Sequence, residues 1–102
     1  MLNMIKVKIN YVDNKFQSLK VTGHANSAEY GKDLVCAEVS VVVTGGFNAI
    51  EDIKNFDVIL DEGIASLEAL GPVSTHDEIV IATIITGLKT IAEANDKFIK
   101  IE

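Results

Sequence analysis

A long, mostly apolar run over residues 34–53 constrains the fold more than any other segment. Its content of β-branched residues, as at 41–43, suits a strand, but the run is longer than ordinary strands. The positions that recur at helical spacing are Val35, Val39, Val42, Gly46, Ile50 and Ile53. The length therefore predicts a helix, with Asp33 capping its first turn by accepting hydrogen bonds from unpaired backbone N–H groups.

Residues 5–22 have the pattern of a β-hairpin. Apolar and polar residues alternate over 5–11, as in a strand with one buried face. Asp13-Asn14 supplies turn chemistry, and residues 16–22 form the predicted returning strand. The hairpin is expected to end near Gly23.

A second hairpin is predicted after the first helix. Two short apolar segments, 56–60 and 64–70, are joined by the turn residues 61–63. Gly71-Pro72 then breaks the chain.

The C-terminal part carries a second helix and a last strand. Thr75 and Glu78 have the spacing of a capping box, and a helix over 76–93 follows them. Residues 98–101 predict an edge strand. The element order is then ββαββαβ, which indicates a two-layer α/β fold with two helices packed on one face of a mostly antiparallel sheet, and residues 1–102 form a single domain. A homodimer is the economical way to cover the open sheet face or a helix flank.

Composition narrows the possible partners. Fifteen acidic and nine basic residues give a formal net charge of −6, which argues against direct binding to nucleic acid through phosphate neutralisation. No apolar stretch is long enough to cross a membrane, and residues 1–8 lack the features of a signal peptide, so a cytoplasmic protein is predicted. The two histidines, His24 and His76, have no metal-ligand spacing, so neither a metal nor another cofactor is expected.

Cys36, the single cysteine, lies where the loop containing Gly31 gives way to the predicted helix. A thiol near a helix N-terminus has a lowered pKa, and the nearby N–H groups stabilise an oxyanion. His24, at the end of the predicted strand, is placed to act as general base and acid. Asp33 or Ser40 could orient the imidazole. From residue types alone, an unpaired cysteine is more often a structural core residue than a nucleophile. A third alternative is a redox-responsive thiol, which the absence of a resolving cysteine disfavours.

The segments Gly23-His24-Ala25 and 31–40, which reads GKDLVCAEVS, resemble the signature of the ribosomal-processing cysteine proteases, the Prp family. The resemblance implies a compact homodimeric α/β fold. It also implies an endopeptidase that removes the N-terminal extension of bacterial large-subunit ribosomal protein twenty-seven. The partner expected from it is the N-terminal peptide of that ribosomal protein precursor.

The same resemblance assigns roles to individual residues. Cys36 becomes the nucleophile and His24 its base. Three positions match supporting residues of the family's site, and these are Gly23, Asp33 and Ser40. Gly31 would belong to a flexible loop over bound peptide. Glu38 is charged where the family usually has a small residue. It is expected to point to solvent, and the alternative is that it alters the rim of the peptide groove. The alternative is a non-catalytic, ribosome-associated interaction module in which Cys36 is structural.

Overall fold

The computed structural model describes residues 4–23 and 32–102. The elements in these ranges are β1 (Ile5–Val12), β2 (Lys15–Thr22), α1 (Lys32–Asn48), a short 3-10 helix (Ile53–Asn55), β3 (Phe56–Asp61), β4 (Ile64–Ala69), α2 (Thr75–Ala94) and β5 (Ile99–Ile101). This order confirms the predicted two-layer fold, ββαββαβ. Neither of the two described helices is long and apolar enough to cross a membrane.

The five strands form one sheet in the order β3-β4-β2-β1-β5. Three neighbouring pairs are antiparallel, and β5 pairs with β1 in parallel. Val7, Val21 and Ala65 lie opposite one another on adjacent strands, and all three are fully buried. They belong to one core cluster with the buried residues of both helices, so the helices cover this face of the sheet.

The first hairpin turns where the sequence predicts. Asp13 and Asn14 have φ angles of 52° and 64°. Two successive residues with positive φ make a type I′ turn, whose twist matches that of the flanking strands. Asn and Asp tolerate this conformation better than most residues.

The first helix is shorter at its C-terminal end than the predicted 34–53. It ends at Asn48, and the backbone N–H groups of Ala49 and Ile50 donate to carbonyls of the last turn. The next two N–H groups, of Glu51 and Asp52, donate to the carboxylate of Asp77 on α2 instead of continuing the helix. This tertiary contact sets the end of α1, and the periodicity of the sequence cannot reveal it.

The predicted caps of both helices are wrong by one or more residues. α1 begins at Lys32, so Asp33 lies inside its first turn and not at the capping position. In α2 the N-cap is Ser74, whose Oγ accepts a hydrogen bond from the backbone N–H of Asp77 at 3.1 Å. Thr75 is therefore the first helical residue and forms no capping box with Glu78.

Candidate active site

Cys36 is the fifth residue of α1, two positions later than an Asp33 cap would place it. Its side chain is only 7% exposed and belongs to the core cluster, beside Val35 and Val39. Helical side chains lean toward the N-terminus of their helix, so a thiol at this position is directed toward the first turn. The partial positive charge of that turn acts to stabilise negative charge on the sulfur, whereas burial among apolar side chains acts against it.

Two further predicted site residues lie on the same helix. Ser40 is half-buried and follows Cys36 by four residues, which places it on the same face one turn later. Asp33 is exposed and precedes Cys36 by three residues, which makes it another neighbour on the helix surface. The helix therefore brings Asp33, Cys36 and Ser40 together along one side.

Gly23 fixes the end of β2. Its φ angle is +87°, and a Cβ atom there would lie 2.8 Å from the backbone oxygen of Met4. Its N–H donates to the carbonyl oxygen of Gly63, in the β3–β4 turn, at 3.0 Å. Both the conformation and the lack of space require glycine. The backbone at the end of β2 is therefore fixed by the hydrogen bond to Gly63 and by the proximity of Met4, which precedes β1.

The other two predicted site residues, His24 and Gly31, lie outside the described residues. Their placement relative to Cys36 therefore stays a prediction. Over the ranges 4–23 and 32–102, no group of three or more His, Cys, Asp or Glu side chains is arranged to hold a metal ion.

A second polar centre, which the sequence analysis passed over, joins the end of α1 to the start of α2. The side chain of Asp77 is buried, with 1% exposure, and its carboxylate accepts from the backbone N–H groups of Glu51 and Asp52 at 2.9 and 3.1 Å. His76 Nδ1 lies 3.0 Å from Asp77 Oδ1, and its Nε2 lies 3.0 Å from Glu51 Oε1. Ser74 followed three residues later by Asp77 was the signal that could have located it.

The pKa of Asp77 reflects these contacts. Burial alone raises the pKa of this carboxyl group, but the hydrogen bond from Glu51, those from His76 and Asp52, and the charge of His76 lower it further than burial raises it. The net result is a pKa below the ordinary value of 3.8. Because Glu51 follows the C-terminal end of α1 and Cys36 lies near its N-terminal end, we assign this centre to stability and not to the thiol chemistry.

Comparisons with known proteins bear on the site. A family model described as cysteine protease Prp matches residues 4–100. The ribosomal processing cysteine protease Prp of Staphylococcus aureus strain Mu50 is 31% identical over 103 residues, which cover 96% of this chain and 97% of that protein. The protein of the same name from Bacillus subtilis strain 168 is 49% identical over 51 residues, which are 50% of this chain and 46% of that protein.

Solved structures show the same architecture. The crystal structure of the S. aureus protease Prp in complex with a covalently linked product peptide superposes with a TM-score of 0.82. The two chains are 30% identical, and the match covers 97% of this chain and 98% of the S. aureus chain. The shared fold therefore extends over nearly the whole of both chains.

Proposed function

The chain belongs to the cysteine protease Prp family, and on that premise we propose that Cys36 cleaves a peptide bond with His24 as its general base and acid. The resemblance predicted from residues 23–40 and the predicted class of enzyme, a cysteine protease, are confirmed by this membership. The observation that carries the proposal is the position of the chain's single cysteine in the second turn of α1, inside the matched region.

The chemistry follows from these two side chains. His24 takes the proton of the thiol, and the resulting thiolate attacks the carbonyl carbon of the peptide. The oxyanion that forms is stabilised by N–H groups near the start of α1. The imidazolium returns its proton to the leaving amine, so the C–N bond breaks and an acyl-enzyme remains. Water, deprotonated by His24, then releases the acid and restores the thiol.

The remaining predicted residues support this pair. Gly23 fixes the backbone at the end of β2, and His24 is the next residue in the sequence. Ser40 lies one turn after Cys36 and lends a hydroxyl group to the same side of the helix. Asp33 adds a negative charge at the positive end of α1, which stabilises the helix. Gly31 lies outside the described residues, and its place in a loop over bound peptide is what the family resemblance implies.

The proposed substrate is the N-terminal peptide of a ribosomal protein precursor, and the proposed place of cleavage is the cytoplasm. The relatives from S. aureus and B. subtilis are named for ribosomal processing, which supports this class of substrate. Within it, large-subunit ribosomal protein twenty-seven is the specific candidate that the sequence resemblance implies. Glu38 is exposed on α1 and follows Cys36 by two residues, which directs its side chain away from the thiol and toward solvent.

Alkylation of Cys36 by iodoacetamide tests the proposed pair directly. A thiolate stabilised by His24 should react at pH near 6.5 about tenfold or more faster than the His24→Ala variant. The matched control is His76→Gln, which alters the other histidine and should leave the rate unchanged. The 7% exposure of Cys36 favours the rival assignment, a structural cysteine in a non-catalytic, ribosome-associated module. Slow and equal alkylation of all three proteins would establish that rival.

We also propose that the protein is a homodimer that forms through the outer flank of the two helices. An apolar groove of about 460 Å³ lies between α1 and α2, and its rim includes Val41 and Ile79, which are 72% and 63% exposed. Glycines line it where the helices approach closely, since a Cβ at Gly46 would overlap Ile84. The open sheet face carries charged residues, whereas this groove is lined by apolar residues and glycines, so we assign the interface to the helix flank.

Light scattering during size-exclusion chromatography measures this association. Val41→Asp should convert a dimer into a monomer, because the carboxylate would be buried in the apolar interface. Leu70→Asp is the matched control, since Leu70 is 65% exposed and lies outside the groove. A monomeric wild-type protein, or equal dissociation of both variants, would contradict the assignment of the groove.

A further inference from the structure

Four lysines share the face of the sheet that the helices leave open. The strand register aligns them in two rows, with Lys6 beside Lys100 and Lys8 beside Lys20. All four are exposed, and each alternates along its strand with residues of the core. Nearly half of the nine lysines in the chain therefore lie on three adjacent strands, β5, β1 and β2.

This arrangement works against the stability of the sheet. Like charges directly opposite each other on neighbouring strands repel. None of the four lysines forms an ion pair with another residue in the described part of the chain. The acidic residues of this face lie on β4 and β3, where Glu68 of β4 is opposite Asp57 of β3. Because β4 pairs with β2, Glu68 lies on the strand next to Lys20, and the positive charge is concentrated on β5, β1 and β2.

A shallow cleft of about 280 Å³ includes two of the lysines, Lys8 and Lys20. Polar side chains from three strands line the same cleft, and these are Asn10, Ser18 and Ser66, together with the carboxylate of Glu68. The amide of Asn10 donates to the hydroxyl oxygen of Ser18 at 3.0 Å, which leaves the hydroxyl proton of Ser18 directed elsewhere. Ammonium groups beside hydroxyl donors are the groups that bind oxyanions.

From this placement, we infer that the open sheet face binds the phosphodiester backbone of single-stranded RNA. The four side chains are lysines, whose ammonium groups bind phosphate oxygens as point charges. The lysines lie about 4.8 Å apart across strands and about 6.6 Å apart along β1, so they match an extended polyanion better than a single ion. The open rows that carry them hold no aromatic side chain for base stacking, which predicts binding without sequence preference.

The formal net charge of −6 argues against binding to nucleic acid, but this total does not show that the lysines and the acidic residues lie on different strands of the open face. Acidic residues dominate the total, but the alternation of the strands and their register collect positive charge on one surface. Because an electrostatic contact acts within about 10 Å at moderate salt, the local charge and not the total decides binding. The inference concerns a surface separate from Cys36 and does not depend on the proteolytic activity.

Fluorescence anisotropy with a labelled oligouridylate of about ten nucleotides tests the inference on the wild-type protein. Four phosphate contacts predict that log Kd rises with log[NaCl] with a slope of about 2.8, so affinity should fall about fifty-fold between about 50 and 200 mM NaCl. In Lys6→Thr/Lys20→Thr the slope should fall to about 1.4, because two contacts are lost. Threonine suits a strand, so the sheet should keep its fold and its thermal stability.

The matched control removes two lysines from elsewhere. Lys54 lies in the 3-10 helix and Lys89 on α2, and both are exposed, so Lys54→Gln/Lys89→Gln changes the net charge equally without touching the sheet face. Its affinity and salt slope should equal those of the wild type. The inference is overturned if the oligouridylate does not bind at about 50 mM NaCl or if both double variants lose the same affinity. Tighter binding to a polyglutamate peptide of similar length would also overturn it, in favour of an acidic protein partner.

Discussion

Replacing Cys36 by serine should reduce cleavage of the precursor's N-terminal peptide by about 10⁴-fold or more, with the fold unchanged. Serine is nearly isosteric with cysteine, but its hydroxyl has a far higher pKa, and neither the helix N-terminus nor an imidazole arranged for a thiol will ionise it sufficiently. The measurement is the mass of the fragments released from the peptide over time, with equal thermal unfolding curves showing that the variant is folded.

The two histidines allow a matched comparison in the same assay. His24→Ala should lose nearly as much activity as Cys36→Ser, and the double variant should lose no more than the worse single variant, because residues that act as one unit are not additive. His76→Gln should cleave at the wild-type rate, since His76 contacts Asp77 and Glu51 beyond the C-terminal end of α1. Undiminished cleavage by Cys36→Ser would remove the thiol from the mechanism altogether.

The elements with strong local patterns were predictable from the sequence. Alternation over residues 5–11 and the Asp13-Asn14 turn fix the first hairpin without help from distant residues, because the turn conformation and the buried face both follow from short-range chemistry. The helical assignment of the long apolar run also rests on local periodicity. These features were sufficient to predict the element order and the fold class.

Where the prediction failed, a contact between distant residues decided the outcome. The end of α1 depends on Asp77, which follows Glu51 by twenty-six positions and takes the N–H groups that would otherwise extend the helix. The N-cap of α2 is Ser74 and not the predicted Thr75, and only the geometry of the junction between α1 and α2 shows this. The lysine surface likewise needs the register of β1 with β2 and β5, which composition does not contain.

The candidate site was predictable to different depths. The apolar run over residues 34–53 predicted that Cys36 lies near the start of a helix. The predicted position, the third of the helix, was wrong by two residues, because Cys36 is the fifth residue of α1. The requirement for glycine at position 23 follows from φ and from the proximity of Met4, neither of which a sequence displays. The resemblance to the family motif identified Gly23 and Cys36 without a structure, because the motif specifies which residue types occur at these positions.

Replacing Asp77 by asparagine should lower the free energy of unfolding by about 2–4 kcal/mol near neutral pH. The buried carboxylate accepts hydrogen bonds from two backbone N–H groups and contacts His76, while an amide offers only one oxygen and turns an N–H₂ donor toward another donor. Urea unfolding measures the loss. Asp57→Asn is the matched control, because Asp57 is exposed on β3, and its replacement should change stability by less than about 0.5 kcal/mol.

The pH dependence of that loss provides the sharper measurement. The pKa of Asp77 is lower in the folded protein than its ordinary value of 3.8, so the folded state binds the proton less readily than the unfolded state. The stabilisation by this carboxylate is therefore complete above the unfolded pKa and is lost as the pH falls through the folded one. The difference in stability between the wild type and Asp77→Asn should be largest near pH 7 and should shrink below about pH 4. If the difference keeps its full size in acid, the charge of Asp77 does not hold the junction of α1 and α2, and the shape of the side chain must account for its effect.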